Sequence, residues 1–159
     1  MPRIDRIVAG VSSSPGNLPA LRYAADLARA CDAALIFVHA WVPSGPEFVA
    51  WQFPADPLVL QWRDDAWQRL WHALDTAFGG LPGDIEAEPV IIRGNPGPVL
   101  VDTVGRVGAT LVVGAGRRGA VGRLRHGQVG RYCLAHAGGP VVAVPSAAFD
   151  RAAARAFRT

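Results

Sequence analysis

Apolar residues gather in short unbroken runs, separated by longer stretches in which they recur every three or four positions. The runs cover residues 6–11, 34–40, 110–114 and 140–145, with 85–93 as a more polar fifth. Segments such as LIFV and LVV show no alternation with polar residues, which predicts strands covered on both faces. In the first intervening stretch Asn17 stands at a helix start with Pro19 in the first turn, and Leu18, Leu21, Ala25 and Ala28 fall on one stripe. The second opens at Asp56-Pro57 and places Trp67, Leu70, Trp71, Leu74 and Phe78 on an apolar face, ending in a glycine-rich turn at 79–83. Asn95-Pro96 starts a third helix carrying Val99, Thr103, Val104 and Val107. A fourth opens near Gly127 with Val129, Tyr132, Cys133 and His136. Strand and helix alternate throughout, so the expectation is an α/β protein with a mostly parallel five-stranded sheet, about four flanking helices and right-handed crossovers. One domain over 1–146 precedes a basic, alanine-rich tail over 147–159.

Composition narrows the chemistry. Half of the 159 residues are apolar, enough for a full core. All 16 basic residues are arginine, which removes the lysine of a Walker phosphate loop and the amine of a Schiff-base enzyme. The net charge of +3 conceals an asymmetry. Residues 1–113 carry 8 arginines against 12 carboxylates, whereas residues 114–159 carry 8 arginines against Asp150 alone. The last third is therefore the candidate to face anions. Cys31 and Cys133 stand far apart without a C-x-x-C, arguing against both zinc and a disulfide framework and for a reducing cytoplasm. Asp5 interrupts any secretory apolar region, and no run approaches the roughly 20 residues of a membrane span.

In an open α/β sheet, ligands bind beyond the carboxyl ends of the strands. The most unusual such loop reads GAGRRGAVGRLRHGQVG over 114–130, directly after a buried strand and directly before a helix. Glycines let backbone N–H groups converge on an anion, and the helix start adds its positive dipole end. Arg117, Arg118, Arg123 and Arg125 add bidentate phosphate donors. The plain alternative is a solvated glycine-rich surface loop. A literal G-x-G-x-x-G runs from Gly114 to Gly119; as a dinucleotide fingerprint it is weak, because it follows the fourth strand and lacks the acidic residue about 20 positions on.

IVAGVSSSP at the first strand end, LPALRYAADLARACDAALIFVHAW, GNPGPVLVDTV, and the stretch from TLVVGAG to GGPVVAVP together resemble the universal stress protein family. The resemblance spans nearly the whole chain and implies a Rossmann-like fold with five parallel strands, usually homodimeric and commonly paired through the last strand, here 140–145. Some members bind ATP and others do not. The family's nucleotide motif is Gly, two residues, Gly, nine residues, Gly, then Ser or Thr. Gly114 and Gly127 match the first and third positions, but Arg117 stands at the second glycine and Gln128 at the hydroxyl. ATP-binding members tend to carry Asp where this chain has Ser12. An arginine at a position needing positive φ costs about 1–2 kcal/mol, and Gly116 and Gly119 flank it. The candidate nucleotide-binding residues are Ser12, Ser13, Ser14 and Val38 at the first two strand ends. From the loop and the following helix come Gly114, Arg117, Arg118, Gly119, Gly127, Gln128 and Val129.

Other residues point to less. Trp67 and Trp71, at i and i+4, are expected in the core, while Trp41, Trp51 and Phe53 sit in a long proline-rich connection suited to a lid or a partner surface. His39, His72, His126 and His136 are expected to be satisfied structural histidines. Cys133 and His136 alone are too little for a metal. No G-x-S-x-G elbow is present, and nothing assigns a base to Ser12–Ser14. The arginines are not interleaved with aromatics as in a nucleic-acid surface. The expectation is a non-enzymatic stress-response or regulatory homodimer, cytoplasmic, with an unidentified protein partner and weak or no ATP binding. The alternative is an adenine-nucleotide (ATP) binder using the 114–129 loop, with slow hydrolysis at most. A metabolic enzyme lacks an assembled acid, base or nucleophile.

Overall fold

A computed structural model describes residues 3–116 and 127–146. Its strands are β1 (Arg6–Gly10), β2 (Ala34–Trp41), β3 (Ala87–Arg93), β4 (Thr110–Gly114) and β5 (Val141–Val144). They form one parallel sheet in the order β3-β2-β1-β4-β5. The helices are α1 (Leu18–Cys31), α2 (Glu47–Gln52), α3 (Pro57–Phe78), α4 (Pro96–Val107) and α5 (Gly127–His136), with a 3-10 turn at Pro15–Asn17 before α1. The expected five parallel strands are present. The short α2 is an addition within the connection after β2.

The unbroken apolar runs have the expected cause. In β1, Ile7 and Ala9 pack with Leu35, Phe37 and Val112 against Leu21, Ala24 and Ala25 of α1 and Leu70 and Leu74 of α3. On the opposite face Val8 joins Val38, Leu111 and Val113 against Leu100 and Val104 of α4 and Cys133 of α5. Helices on both sides leave no polar face to the central strands. Gly10 ends β1 beneath Leu100: a Cβ there would lie 2.9 Å from Leu100 Cδ1, so a side chain at this position would force the Leu100 side chain to shift.

Two expectations are corrected. Trp71 is 44% exposed, because the face of α3 that packs inward runs through Val59, Ala66, Leu70, Ala73 and Leu74; Trp67 is partly buried at its margin. Asn17 precedes α1, but its side chain does not cap that helix. Asp56, by contrast, caps α3 as its sequence implies, accepting from the Leu58 N–H at 2.8 Å.

Candidate functional site

β1 lies between β2 and β4, so the chain leaves the sheet toward opposite flanks on either side of it. That reversal of strand order opens a crevice at the carboxyl ends. A cavity of about 430 Å³ occupies it, lined by Gly10–Ser14 after β1, Val38–Ser44 after β2, Val113, Gly114 and Gly116 after β4, Pro96 and Leu100 of α4, Arg69 of α3, and Val129 of α5. An open groove of about 570 Å³ adjoins it between α1 and α3, sharing Ser12, Ser13, Ser14 and Arg69.

Backbone and side-chain bonds hold the rim. The Val11 N–H donates to the Val38 carbonyl at 2.8 Å, and the Ala115 N–H to the Val144 carbonyl at 2.7 Å. Asn17 is buried and turns inward: its Nδ2 donates to the Gly10 carbonyl at 3.1 Å, while its Oδ1 accepts from Ser12 Oγ at 3.4 Å. The Ser14 N–H in turn donates to Ser12 Oγ at 3.4 Å. This is why Asn17 is not a helix cap: its amide is used to tie the serine loop to the end of β1.

Of the sequence candidates, Ser12, Ser13, Ser14, Val38, Gly114 and Val129 come together around the cavity. Gly127 starts α5, and Gln128 beside it is exposed. Arg117, Arg118 and Gly119 lie outside the described residues. Gly116, at φ +80°, takes the left-handed conformation that glycine permits, one position before the arginine that stands in the motif. A Cβ on Gly130 would lie 3.6 Å from the Gly114 carbonyl, so the first turn of α5 rests directly on the end of β4.

His39, Trp41 and Arg69 also line the cavity, beyond the residues picked from sequence. The rule that ligands meet strand ends reaches His39 and Trp41. Arg69 comes from a helix, and no local signal separates it from other exposed arginines. His39 is 6% exposed and shares a 2.9 Å hydrogen bond with the Val11 carbonyl through Nδ1. A carbonyl only accepts, so Nδ1 carries the proton and a neutral ring leaves Nε2 as an acceptor. Nε2 has no partner among the described residues, contrary to the expectation of a satisfied histidine. Burial pulls the imidazole below its ordinary value of 6.5, the Val11 bond opposes this, and the nearby Arg69 charge lowers it further. The ring is therefore neutral at pH 7. Cys133 is buried among α4, α5 and the sheet, where desolvation raises its thiol above the usual range. Among the described residues no three metal-ligating side chains converge, and no helix is long and apolar enough to cross a membrane.

The sequence profile of the universal stress protein family matches residues 3–145. Comparison with curated proteins finds no match. Among solved structures, a universal stress protein in complex with cAMP is 25% identical, with 92% of this chain and 100% of that one covered at a TM-score of 0.60. The universal stress protein UspA from Lactobacillus plantarum is 18% identical over 91% of this chain and 99% of its own, at a TM-score of 0.69. A universal stress protein from Archaeoglobus fulgidus in complex with dAMP is 21% identical over 92% and 99%, at 0.58.

Proposed function

The chain belongs to the universal stress protein family, and from that premise we propose that it is a regulatory, non-enzymatic homodimer whose cavity binds an adenine nucleotide. The observation that carries this reading is the cavity of about 430 Å³ at the strand-order reversal, within the roughly 300–1,000 Å³ typical of small-ligand sites. One end is apolar and aromatic, through Val38, Trp41 and Pro43, and suits a base. The other holds Gly114, Gly116 and the start of α5, and suits a phosphate through backbone N–H groups and the helix dipole. The neighbour in complex with cAMP supports the same ligand class.

The motif substitutions weigh against tight ATP binding without closing the site. Gly116 retains a left-handed glycine beside the displaced motif position. Gln128, being exposed, presents its amide at the helix start rather than filling the cavity. Ser12 directs its hydroxyl to Asn17 and His39 directs Nδ1 to Val11, so neither geometry is that of a nucleophile and its base. The subunits pair through β5, a reading taken up below.

Calorimetric titration with AMP, cAMP and ATP tests the reading. Saturable one-to-one binding of at least one of them, with no turnover of ATP, is expected. No binding of any of the three at millimolar concentration would overturn it, as would turnover at enzymatic rates.

A further inference from the structure

His39 combines features that a merely structural histidine does not need. The residue is more than nine-tenths buried and borders the cavity, its Nδ1 proton is committed to Val11, and Nε2 has no partner among the described residues. A buried acceptor left without a donor is destabilising by an amount comparable to a whole hydrogen bond. A donor carried by a molecule in the cavity would remove that cost. The surrounding wall indicates which part of a ligand comes near. Val11, Val38, Trp41 and Pro43 give this end a flat apolar character. The glycine end at β4 lies two strand spacings away, about 10 Å across the sheet, comparable to the length of a nucleoside monophosphate from base to phosphate.

We propose that His39 is a specificity-determining residue of this site: its Nε2 accepts a hydrogen bond from the exocyclic amino group of a purine base whose phosphate lies toward Gly114 and Gly116. The proposal rests on the nucleotide reading above and adds to it a chemical requirement, a base that donates at its outer edge. Nε2 is covered, so the proposal includes a displacement of Arg69, which lines the same wall and makes no hydrogen bond or ion pair among the described residues, to admit the base to the ring. Arg69 on α3 is also the charged group whose field reaches the imidazole. Asp65 and His72 line the adjoining groove beside it. Val11, just after β1, and Ile91, the register partner of His39 on β3, are apolar.

The test compares AMP with purine riboside 5′-monophosphate, which lacks the 6-amino group and is otherwise the same molecule. At pH 7.5 the wild type binds AMP at least tenfold more tightly. Burial places the folded His39 value below 6.5, so acidification carried far enough to protonate Nε2, followed by the imidazole NMR signals, takes away the acceptor and the ratio falls toward one. The phosphate titrates alike in both ligands and cancels from it. His39→Phe brings the ratio to one at every pH, and His39→Gln, whose amide oxygen still accepts, keeps a preference for AMP without the pH dependence. A wild-type ratio of one at pH 7.5, a wild-type ratio that does not change on acidification, or a preference that survives in His39→Phe overturns the assignment while leaving nucleotide binding intact. Binding of neither ligand overturns both. If His39→Phe does not fold, the wild-type ratio and its pH dependence decide.

Discussion

Burial, more than any neighbouring charge, sets the protonation of His39, and this gives the residue a stability signature separate from any ligand. In the unfolded chain the imidazole titrates near its ordinary value of 6.5, whereas in the folded protein its value is lowered, first by desolvation. Below 6.5 the unfolded state takes up a proton that the folded state still refuses, so acidification favours unfolding. The contribution is fully present above pH 6.5 and is lost as pH falls toward the folded value. Urea midpoints of the wild type should therefore decline from pH 6.5 downward, and His39→Gln should flatten that segment of the profile. An unchanged slope in the variant would mean that another group controls it. Asp84 does not confuse the measurement. Its carboxyl is held below its usual range by Arg29, whose Nη2 donates to Asp84 Oδ1 at 3.1 Å, so its effect appears only at pH values below the ordinary carboxylate value of 3.8.

The elements themselves were legible wherever local chemistry decided them. Asp56-Pro57 announced α3 because a carboxylate cap and a fixed proline φ act within one turn. The strands were legible because a doubly covered sheet requires apolar runs. What sequence could not supply was the rotation of α3. A stripe drawn through its largest residues puts Trp71 inside, yet Ala73 of α3 shares one cluster with Ala24, Ala25 and Ala28 of α1, and small residues allow the close approach that turns Trp71 outward. The site divided the same way. Ser12, Val38 and Gly114 follow from the rule of strand ends, while Arg69 needed the packing of α3 beside β2 to bring it there. The orientation of α3 makes a paired test. Leu70 is fully buried, so Leu70→Ala should cost about 3 kcal/mol, whereas Trp71→Ala should cost less than about 1 kcal/mol despite removing more atoms. Equal losses in chemical denaturation would contradict the orientation of the helix.

At the scale of the whole molecule, a sheet of five strands has two edges, and the two are not alike. β3 carries Glu88, Pro89 and Arg93, the charges and proline that discourage edge-to-edge pairing. β5 reads VVAV and carries none of these. Its ladder to β4 runs through alternate residues: the Leu111 N–H donates to the Pro140 carbonyl and the Ala115 N–H to the Val144 carbonyl. Backbone groups of successive strand residues point to opposite sides. Those of Val141 and Ala143 therefore face away from β4, toward the open edge. A two-fold axis beside β5 would let the same groups of a second copy meet them, which is the isologous pairing that closed dimers require. Ala143→Pro removes one outward N–H and leaves the β4 ladder untouched. The variant should run as a monomer by size-exclusion chromatography with light scattering, under conditions where the wild type runs as a dimer, while still unfolding cooperatively. With the cavity walled by β1, β2, β4 and their neighbouring helices, away from β5, the monomer should bind nucleotide with the affinity of the wild type. An Ala143→Pro protein that remains dimeric would move the interface elsewhere, the foremost alternative being the 51–58 segment, which exposes Trp51 (81%), Phe53 and Leu58. A monomer that folds but loses nucleotide would mean instead that the partner subunit helps to shape the cavity.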